Sequence, residues 1–440
     1  MELNIEKLVY GGDGLARLPA DERGRGKTVF LPYVIPGERV DATIIESRSG
    51  FARARLNQIR TASPERVAAQ CRYFGRCGGC QYQHIDYNAQ LRFKAEILRE
   101  TLRRTAKLEL QSEIQLHRSE PWHYRNRTRV RVEHEPAFAL GYFVANSHKL
   151  LPVESCPISS PLIDSSISAV WTLGRTGQVP NSVHGMQLFA NHDDSRLLLE
   201  VYVRGPATED DYRRFIAALM SEMKVVVGVI IFATSPIEDE TRQLAPLSSV
   251  HNETAWAIGT DHLTYHVLGN NYRVSGGSFF QTNRFLVSEL VSVAAGGAKG
   301  SLALDLYAGV GLFTVRLAAN FREVTAVEAS PHAVGDLRHN VPPNVNVIRG
   351  TTEAFLQQLG ASLKPEFILL DPPRAGVGGK ATTALCRTSA SRVTYVSCDP
   401  ATLSRDLGLL LESGFTVEQA HLFDLFPQTA HMETVLHLVR

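Results

Sequence analysis

The chain has 440 residues, of which 44% are hydrophobic and 21% are charged. This length predicts two to four domains of roughly 100–200 residues each, and the composition excludes intrinsic disorder, a collagen-like repeat and a small disulfide-stabilised protein. The net charge of +1 is the sum of +8 over residues 1–150 and −7 over residues 151–440. A basic N-terminal part predicts an anionic partner at one end of the molecule, with a merely solvated surface as the alternative.

Nothing in the sequence resembles a membrane or export signal. The longest apolar run, residues 225–233, is far shorter than the roughly 20 residues of a membrane-spanning helix. The first ten residues carry Glu2 and Glu6 and lack the apolar stretch of a secretory signal. We therefore expect a cytoplasmic enzyme that has no membrane partner. We also expect it to be a monomer.

Residues 1–60 predict a small β-barrel of the oligonucleotide-binding type. β-rich runs at residues 27–34, 39–46 and 52–59 are separated by turns that contain glycine and proline, and about five strands in this length are typical of such a barrel. Several arginines and one phenylalanine would offer charge and a stacking ring to a nucleic acid. They are Arg48, Phe51, Arg53, Arg55 and Arg60. A barrel edge that is only solvated is the alternative.

Three of the six cysteines fall within ten residues. Cys71, Cys77 and Cys80 form the pattern Cys-x5-Cys-x2-Cys. In a chain without an export signal, this clustering predicts a metal or iron–sulfur site rather than disulfide bonds.

A helix and a basic strand are predicted next. Apolar residues recur at helical spacing from about residue 86 to residue 107. Residues 124–132 then alternate strictly, which in a strand places four arginines on one face: Arg125, Arg127, Arg129 and Arg131. Because four like charges repel one another, we predict that phosphate lies over this face. A solvated face, or pairing with Glu133 and Glu135, is the alternative.

The periodicity divides the chain into three domains. Residues 61–265 predict a central mixed α/β domain, onto whose neighbour the helix at residues 86–107 is expected to pack. From residue 266 to residue 440, apolar strands alternate with helices, which predicts a doubly wound, Rossmann-like sheet with its ligand site at the carboxyl ends of the strands. The predicted fold class is therefore α/β, with the small β-barrel of residues 1–60 at the N-terminus.

The turn that follows the predicted strand at residues 301–306 indicates a cofactor site. Gly309 and Gly311 let the backbone pass close under a ligand, while Thr314 stands where a dinucleotide-binding turn has its third glycine. Glu328 ends the next strand, where a carboxylate can accept both ribose hydroxyls of an adenosine. This pattern resembles S-adenosylmethionine methyltransferases more than NAD enzymes. A tight turn beside a solvated glutamate is the alternative.

Two later strand ends carry further chemistry. One continues into Asp371-Pro372-Pro373-Arg374, where the prolines stiffen the loop and the aspartate can receive a polar group. The next continues into Ser397-Cys398-Asp399-Pro400, which makes Cys398 a candidate nucleophile. Near the C-terminus Glu433 is a candidate general base, and His431 is its rival.

Taken together, these motifs resemble those of RNA uracil-5-methyltransferases. The resemblance covers nearly the whole chain and rests on residues 371–374, 397–400 and 431–435, together with Ser278-Phe279-Phe280-Gln281-Thr282-Asn283. It implies a Rossmann-like methyltransferase domain, and a TRAM domain at residues 1–60 that binds RNA. It also implies that Cys398 is the nucleophile and Glu433 the base.

The same resemblance implies two cofactors. S-Adenosylmethionine would be held by Gln281, Tyr307, Glu328 and Asp371. A [4Fe–4S] cluster would be held by Cys71, Cys77, Cys80 and Cys156, with a tetrahedral zinc ion as the rival metal. Leu312 departs from the family's pattern, since many members carry Asn there, beside the methionine part of the cofactor.

The chemistry of uracil calls for the same residue types. C5 of uracil is a weak nucleophile until a thiolate adds to C6, and a base must remove the C5 proton after methylation before the thiolate can leave. The target base must also leave its stack, which favours unpaired or loop nucleotides.

Three alternatives to this function remain at the level of sequence. An adenine-N6 methyltransferase would also use Asp-Pro-Pro, but it carries an aromatic residue where Arg374 stands and needs no thiol. A non-catalytic iron–sulfur RNA-binding assembly factor is the alternative from another class. Within the family, we expect 23S ribosomal RNA as the substrate, with transfer RNA as the alternative.

Overall fold

The computed structural model describes residues 1–18, 26–205, 208–234, 253–359 and 363–440. Over these ranges the strands form a barrel-like sheet, a central sheet, a hairpin and a large C-terminal sheet. No helix in the described part of the chain is long and apolar enough to cross a membrane.

The N-terminal unit is a six-stranded sheet with the order β1-β5-β6-β4-β3-β2. Its strands are β1 (Glu2–Asn4), β2 (Lys7–Leu8), β3 (Gly14–Arg17), β4 (Thr28–Leu31), β5 (Arg39–Ser47) and β6 (Phe51–Thr61). Val40 of β5 and Ala52 and Ala54 of β6 point into a core with Val29. The first strands are too short for a sequence pattern to reveal, which is why about five were expected.

The cysteine segment that follows is a series of turns and leads into a helix. Helix α1 (Tyr87–Thr101) begins at Asp86, whose carboxylate accepts hydrogen bonds from the first free backbone amides, and it continues as a π-helical turn, Leu102–Ala106. The helix predicted at residues 86–107 is confirmed. Its buried face shares a core with Leu403 and Leu407 of the C-terminal domain. A short strand, β7 (Gln115–His117), follows.

The central sheet has seven strands in the order β10-β9-β8-β11-β12-β13-β14 and two covering helices. Its elements are β8 (Arg127–Glu133), β9 (Ala139–Phe143), β10 (Leu150–Pro152), α2 (Pro161–Arg175), β11 (Val183–Ala190), β12 (Leu197–Arg204), α3 (Glu209–Glu222), β13 (Val226–Thr234) and β14 (Glu253–Gly259). Strand β13 runs parallel to β12, and the other neighbours are antiparallel.

The arginines of β8 do not form the open phosphate-binding face that their alternation predicted. The guanidinium groups of three of them lie over aromatic rings: Arg127 over Phe189 at 3.9 Å, Arg129 over Tyr202 at 4.0 Å and Arg131 over Phe143 at 5.4 Å. Arg125 lies just before the strand. The prediction was wrong because alternation shows which side chains share a face, whereas the rings that cover this face come from other strands. Cation–π contact offsets part of the repulsion among these like charges.

The C-terminal domain begins with a hairpin and continues as a doubly wound sheet. The elements are β15 (His262–Val267), β16 (Asn270–Ser275), α4 (Val287–Ala295), β17 (Gly300–Leu306), α5 (Leu312–Ala318), β18 (Phe321–Glu328), α6 (Pro331–Asn340), β19 (Val345–Arg349), α7 (Thr352–Gln358), β20 (Phe367–Leu370), α8 (Gly379–Cys386), β21 (Arg392–Ser397), α9 (Pro400–Glu412), β22 (Thr416–Phe423) and β23 (Glu433–Val439). The sheet order is β19-β18-β17-β20-β21-β23-β22-β7. The predicted α/β fold class is confirmed.

Candidate active site

The strand register of the C-terminal sheet gathers the predicted catalytic residues at one edge. Strands β17, β20 and β21 are parallel, with Leu306 beside Leu370, so Asp371 follows directly at their common end. Strand β23 runs antiparallel to β21 and pairs Thr434 with Ser397. Glu433 begins β23 where Cys398 follows β21, and the two residues therefore meet at the carboxyl edge of the sheet.

The glycine turn after β17 is shaped for close approach. Gly309 and Gly311 adopt positive φ angles of 55° and 90°. A Cβ atom at Gly311 would lie 2.8 Å from Cδ1 of Leu337, so the position lacks both the conformation and the space for a side chain. Tyr307, half-buried, also has a positive φ of 65°, a strained conformation of the kind found at ligand sites.

Glu328 is fixed by backbone amides rather than by a cation. Its Oε2 accepts a hydrogen bond from the amide of Gly309 at 2.9 Å, and its Oε1 accepts one from Ser330 at 2.7 Å. A carboxylate has about four lone-pair directions, so acceptor capacity is left for two further donors. The carboxylate is thus held beside the glycine turn in a fixed orientation.

Thr314 replaces the third glycine of a dinucleotide turn for a reason that the sequence did not reveal. Its hydroxyl donates to Oδ2 of Asp305 at 2.5 Å. The Asp305 side chain is fully buried, and its Oδ1 has no hydrogen-bond partner. Burial raises the pKa of Asp305 to about 7, which leaves a buried acid directly beneath the turn.

Asp371 and Gln281 meet at the mouth of the sheet. Nε2 of Gln281 donates to Oδ2 of Asp371 at 3.4 Å, and Asn126 of the central domain donates to the Gln281 carbonyl at 3.1 Å. Burial, and then the charge of Asp305, raise the pKa of Asp371 to about 7. The motif that contains Gln281 is therefore tied to both the central domain and the Asp371 loop.

The Cys398 thiol lies in a negatively charged environment. Burial, followed by the charges of Glu433 and Asp371, raises its pKa to about 12, and the nearby Arg374 opposes this shift. The thiol is therefore protonated at neutral pH in the ligand-free protein. Arg374 was noted in the sequence only as part of a motif, and its electrostatic effect on Cys398 was missed.

Glu433 and His431 have opposite proton affinities. Glu433 is 3% exposed, and burial together with the charge of Asp371 holds its pKa well above the ordinary value. Burial and the charge of Arg374 lower the pKa of His431 to about 4. Because a higher pKa makes a stronger base, the electrostatics favour Glu433 over His431 as the proton acceptor.

The loop before Glu433 is held by helix α1. Gln90 donates to the side chain of Gln428 at 3.0 Å and accepts from its backbone amide at 3.0 Å. Lys94 donates to Oδ1 of Asp424 at 2.6 Å and to the carbonyl of Phe426 at 3.1 Å. The central domain therefore positions the strand that carries the candidate base.

The four predicted cluster ligands line one cavity in the central domain. Its volume is about 650 Å³, and its walls contain Cys71, Cys77, Cys80 and Cys156. Burial and the charge of Cys156 raise the pKa of Cys80 to about 12. Across the described ranges, no group of three or more His, Cys, Asp or Glu side chains is arranged to hold a single metal ion. The four cysteines thus line a cavity and do not converge on the position of a single ion.

Models of known protein families match both ends of the chain. The family model described as tRNA (Uracil-5-)-methyltransferase matches residues 259–440, and the TRAM domain model matches residues 1–56. A relative from Chromohalobacter salexigens, described as 23S rRNA (uracil(1939)-C(5))-methyltransferase RlmD, is 33% identical over 100% of this chain and 89% of its own length. Its namesake from Halomonas elongata is 32% identical, over 99% and 89%.

A solved structure has the same overall fold. The structure of Pyrococcus abyssi tRNA (uracil-54, C5)-methyltransferase, in complex with S-adenosyl-L-homocysteine, superposes with a TM-score of 0.75 and covers 100% of both chains at 20% identity. At that identity the likeness shows the fold alone.

Proposed function

The chain belongs to the RNA uracil-5-methyltransferase family, and from that premise we propose that it methylates C5 of a uridine in 23S ribosomal RNA through a covalent bond between Cys398 and C6. The observation that carries the proposal is the antiparallel pairing of β21 with β23, which brings a thiol and a buried carboxylate of high proton affinity to one edge of the sheet.

The proposed reaction has three steps. The Cys398 thiol gives up its proton to solvent as the RNA binds, and the thiolate sulfur adds to C6 of uracil, which gives an enolate with a nucleophilic C5. C5 then takes the methyl group that S-adenosylmethionine supplies from its sulfonium. Finally, Glu433 removes the remaining C5 proton, the C5–C6 double bond re-forms and the Cys398 thiolate leaves.

Four residues are proposed to hold S-adenosylmethionine: Gln281, Tyr307, Glu328 and Asp371. The support is that Glu328 retains acceptor capacity beside the glycine turn, where ribose hydroxyls would lie. Asp371, at the mouth of the sheet, offers a negative charge that suits a cationic cofactor. Leu312, where many family members carry Asn, is buried, and its carbonyl accepts from the Tyr272 hydroxyl at 3.3 Å.

A [4Fe–4S] cluster is proposed in the cavity formed by Cys71, Cys77, Cys80 and Cys156. The residues fit such a group because all four thiols line a single cavity. Three of them have pKa values raised by burial, so they would become thiolates only with a bound cation.

The substrate assignment rests on the relatives. The relatives at 32% and 33% identity, which share nearly the whole length of this chain, are described as acting on 23S rRNA. The transfer RNA alternative keeps the support of the family model's description. Mapping 5-methyluridine in both RNAs from a strain that lacks this protein separates them. Loss at one uridine of 23S rRNA is expected, and loss in transfer RNA would favour the alternative.

The roles of Cys398 and Glu433 can be tested by trapping. Glu433→Gln should complete methylation but fail to expel the thiolate, so the methylated RNA should stay attached to the protein. With radiolabelled cofactor, a denaturing gel should show a slow-migrating labelled band that disappears when Cys398 is also changed to Ala. Cys386→Ala is the matched control and should behave like the wild type. Fast release of methylated RNA by Glu433→Gln would give the base role to His431 or water. A labelled protein–RNA adduct in Cys398→Ala would refute the assignment of Cys398 as the nucleophile.

The cluster can be tested on the anaerobically purified protein. We expect a brown protein that contains iron and sulfide and loses both on Cys80→Ala. Cys386→Ala should keep them. A colourless protein with one stoichiometric zinc ion would decide for the rival metal.

A further inference from the structure

A turn of the N-terminal barrel reaches into the active site. The turn joins β2 to β3 and is closed by hydrogen bonds from the amide of Val9 to the Asp13 carbonyl, at 2.9 Å, and from the amide of Gly12 to the Val9 carbonyl, at 3.1 Å. At its tip, the Tyr10 hydroxyl donates to the backbone carbonyl of Cys398 at 3.4 Å. A residue of the barrel thus contacts the candidate nucleophile directly.

The same turn also contacts the loop that leads to the candidate base. Gly12 has a φ of +100°, and a Cβ atom there would lie 2.8 Å from Cβ of Gln81 and 3.2 Å from Cβ of Ala430. The Gln81 side chain in turn accepts a hydrogen bond from the amide of Ala430 at 3.1 Å. The turn is therefore packed against both catalytic loops, and glycine at position 12 permits this approach.

The chemical environment keeps Tyr10 a donor. Burial and the neighbouring charge of Asp399 raise the pKa of the phenol far above the physiological range, so its proton stays in place. The groups around the Cys398 thiol are otherwise Glu433, Asp371 and Asp399, which are acidic, and Arg374. The Tyr10 hydroxyl lies beside this cluster, where it donates to the Cys398 carbonyl and lies within hydrogen-bond reach of Asp399.

We propose that Tyr10 is a positioning residue for methyl transfer: its hydroxyl holds the Cys398 carbonyl and thereby orients the thiol. This inference rests on the proposed function, because it takes Cys398 as the nucleophile. It gives the barrel a second task besides holding RNA. Asp13, at the end of the turn, pairs with Arg53 at 3.3 Å, so the turn is also tied to the basic face of the barrel.

The matched experiment compares Tyr10→Phe with Arg48→Gln. Tyr10→Phe keeps the ring and removes only the hydroxyl, and Arg48 lies on the exposed barrel surface, where it pairs with Glu46. We expect Tyr10→Phe to lower kcat roughly 2- to 10-fold, the value of one hydrogen bond, with KM for RNA unchanged. Arg48→Gln, at one of the arginines predicted to contact the nucleic acid, should raise KM for RNA.

A second measurement needs no RNA and separates this inference from the proposed function. The rate at which iodoacetamide alkylates Cys398 is followed against pH in a background where Cys386 is changed to Ala. Tyr10→Phe should shift the profile to higher pH, because the hydrogen-bond donor that holds the Cys398 carbonyl is lost. A Glu433→Gln variant that forms no adduct with RNA counts against the proposed function alone, whereas the alkylation profile tests Tyr10. An unchanged profile, or a change in KM only, would overturn the inference.

Discussion

Three buried acids gather at the edge of the sheet where the cofactor and the target base are expected to meet. The pKa values of Asp305, Asp371 and Glu433 are all raised, chiefly by burial and then, for the last two, by another acid of this group. Arg374 lowers the pKa of Glu433 and of the Cys398 thiol. A cationic methyl donor would relieve the repulsion among the acids, which makes the cofactor an electrostatic part of the site.

The pH dependence of cofactor binding follows from Asp371. With a pKa of about 7, its carboxylate becomes protonated and neutral as the pH falls, and its attraction for the sulfonium is lost. We expect the affinity for S-adenosylmethionine, measured by calorimetry, to fall up to about tenfold between about pH 8 and about pH 6. Asp371→Asn should bind weakly and without this dependence. If the dependence persists in Asp371→Asn, Asp305 is the titrating group.

Glu328 should contribute to affinity through its hydrogen bonds. A carboxylate that accepts from both ribose hydroxyls makes charge-assisted bonds worth roughly 1.5–3 kcal/mol. Glu328→Ala should therefore weaken S-adenosylmethionine binding about 10- to 100-fold. Glu323→Ala, an exposed acid on the same strand, is the control and should bind normally. Equal affinities for the two variants would remove Glu328 from the site.

At the scale of elements, helix α1 is joined to the catalytic domain by a buried ion pair. The Lys94 and Asp424 side chains are both 0% exposed, and Oδ2 of Asp424 has no hydrogen-bond partner. Removal of the lysine leaves a buried charge uncompensated, which costs about 3–5 kcal/mol. We expect Lys94→Met to lower the free energy of unfolding by about this amount in a denaturant titration.

The double variant is the control for that measurement. Lys94→Met combined with Asp424→Asn removes both charges, so it should recover a large part of the lost stability. The single variant Asp424→Asn gives the cost of the second substitution by itself. If the double variant is less stable than Lys94→Met by that full cost, the two side chains do not stabilise the protein as a pair.

The sequence predicted the parts of the site that lie in contiguous motifs. Asp371 and Cys398 could be singled out as candidates because each follows the carboxyl end of an apolar strand, and such ends of neighbouring parallel strands meet. Glu433 could be singled out because it directly precedes the apolar residues of the last strand. Contacts between distant segments left no such pattern: Tyr10 and Cys398 are 388 residues apart, and Lys94 and Asp424 are 330 apart. The predicted phosphate-binding face that includes Arg127 was wrong for the same reason, because the ring of Phe189 that covers the Arg127 guanidinium group belongs to another strand.

At the scale of the whole molecule, the excess positive charge lies in the part of the chain predicted to hold RNA, and the excess negative charge lies in the part that contains the candidate active site. The first 150 residues carry +8, and the rest, which holds the acidic site, carries −7. On β6, Arg53 and Arg55 are exposed while the alternating Ala52 and Ala54 are buried. The outer face of β6 therefore carries exposed arginines, of which Arg53 pairs with Asp13 and Glu46, while the β2–β3 turn of the barrel reaches the Cys398 loop.

The salt dependence of RNA binding should therefore depend on the barrel. Each phosphate neutralised by an arginine releases counterions, which contributes about 0.7 to the slope of log affinity against log salt for single-stranded RNA. We expect Arg55→Gln to weaken RNA binding and to lower this slope by about 0.7, measured by fluorescence anisotropy over a series of KCl concentrations. Arg338→Gln, an exposed arginine on α6 in the acidic part of the chain, should leave the slope unchanged. A reduced slope in Arg338→Gln together with a normal slope in Arg55→Gln would assign the RNA-binding surface to the catalytic domain instead of the barrel.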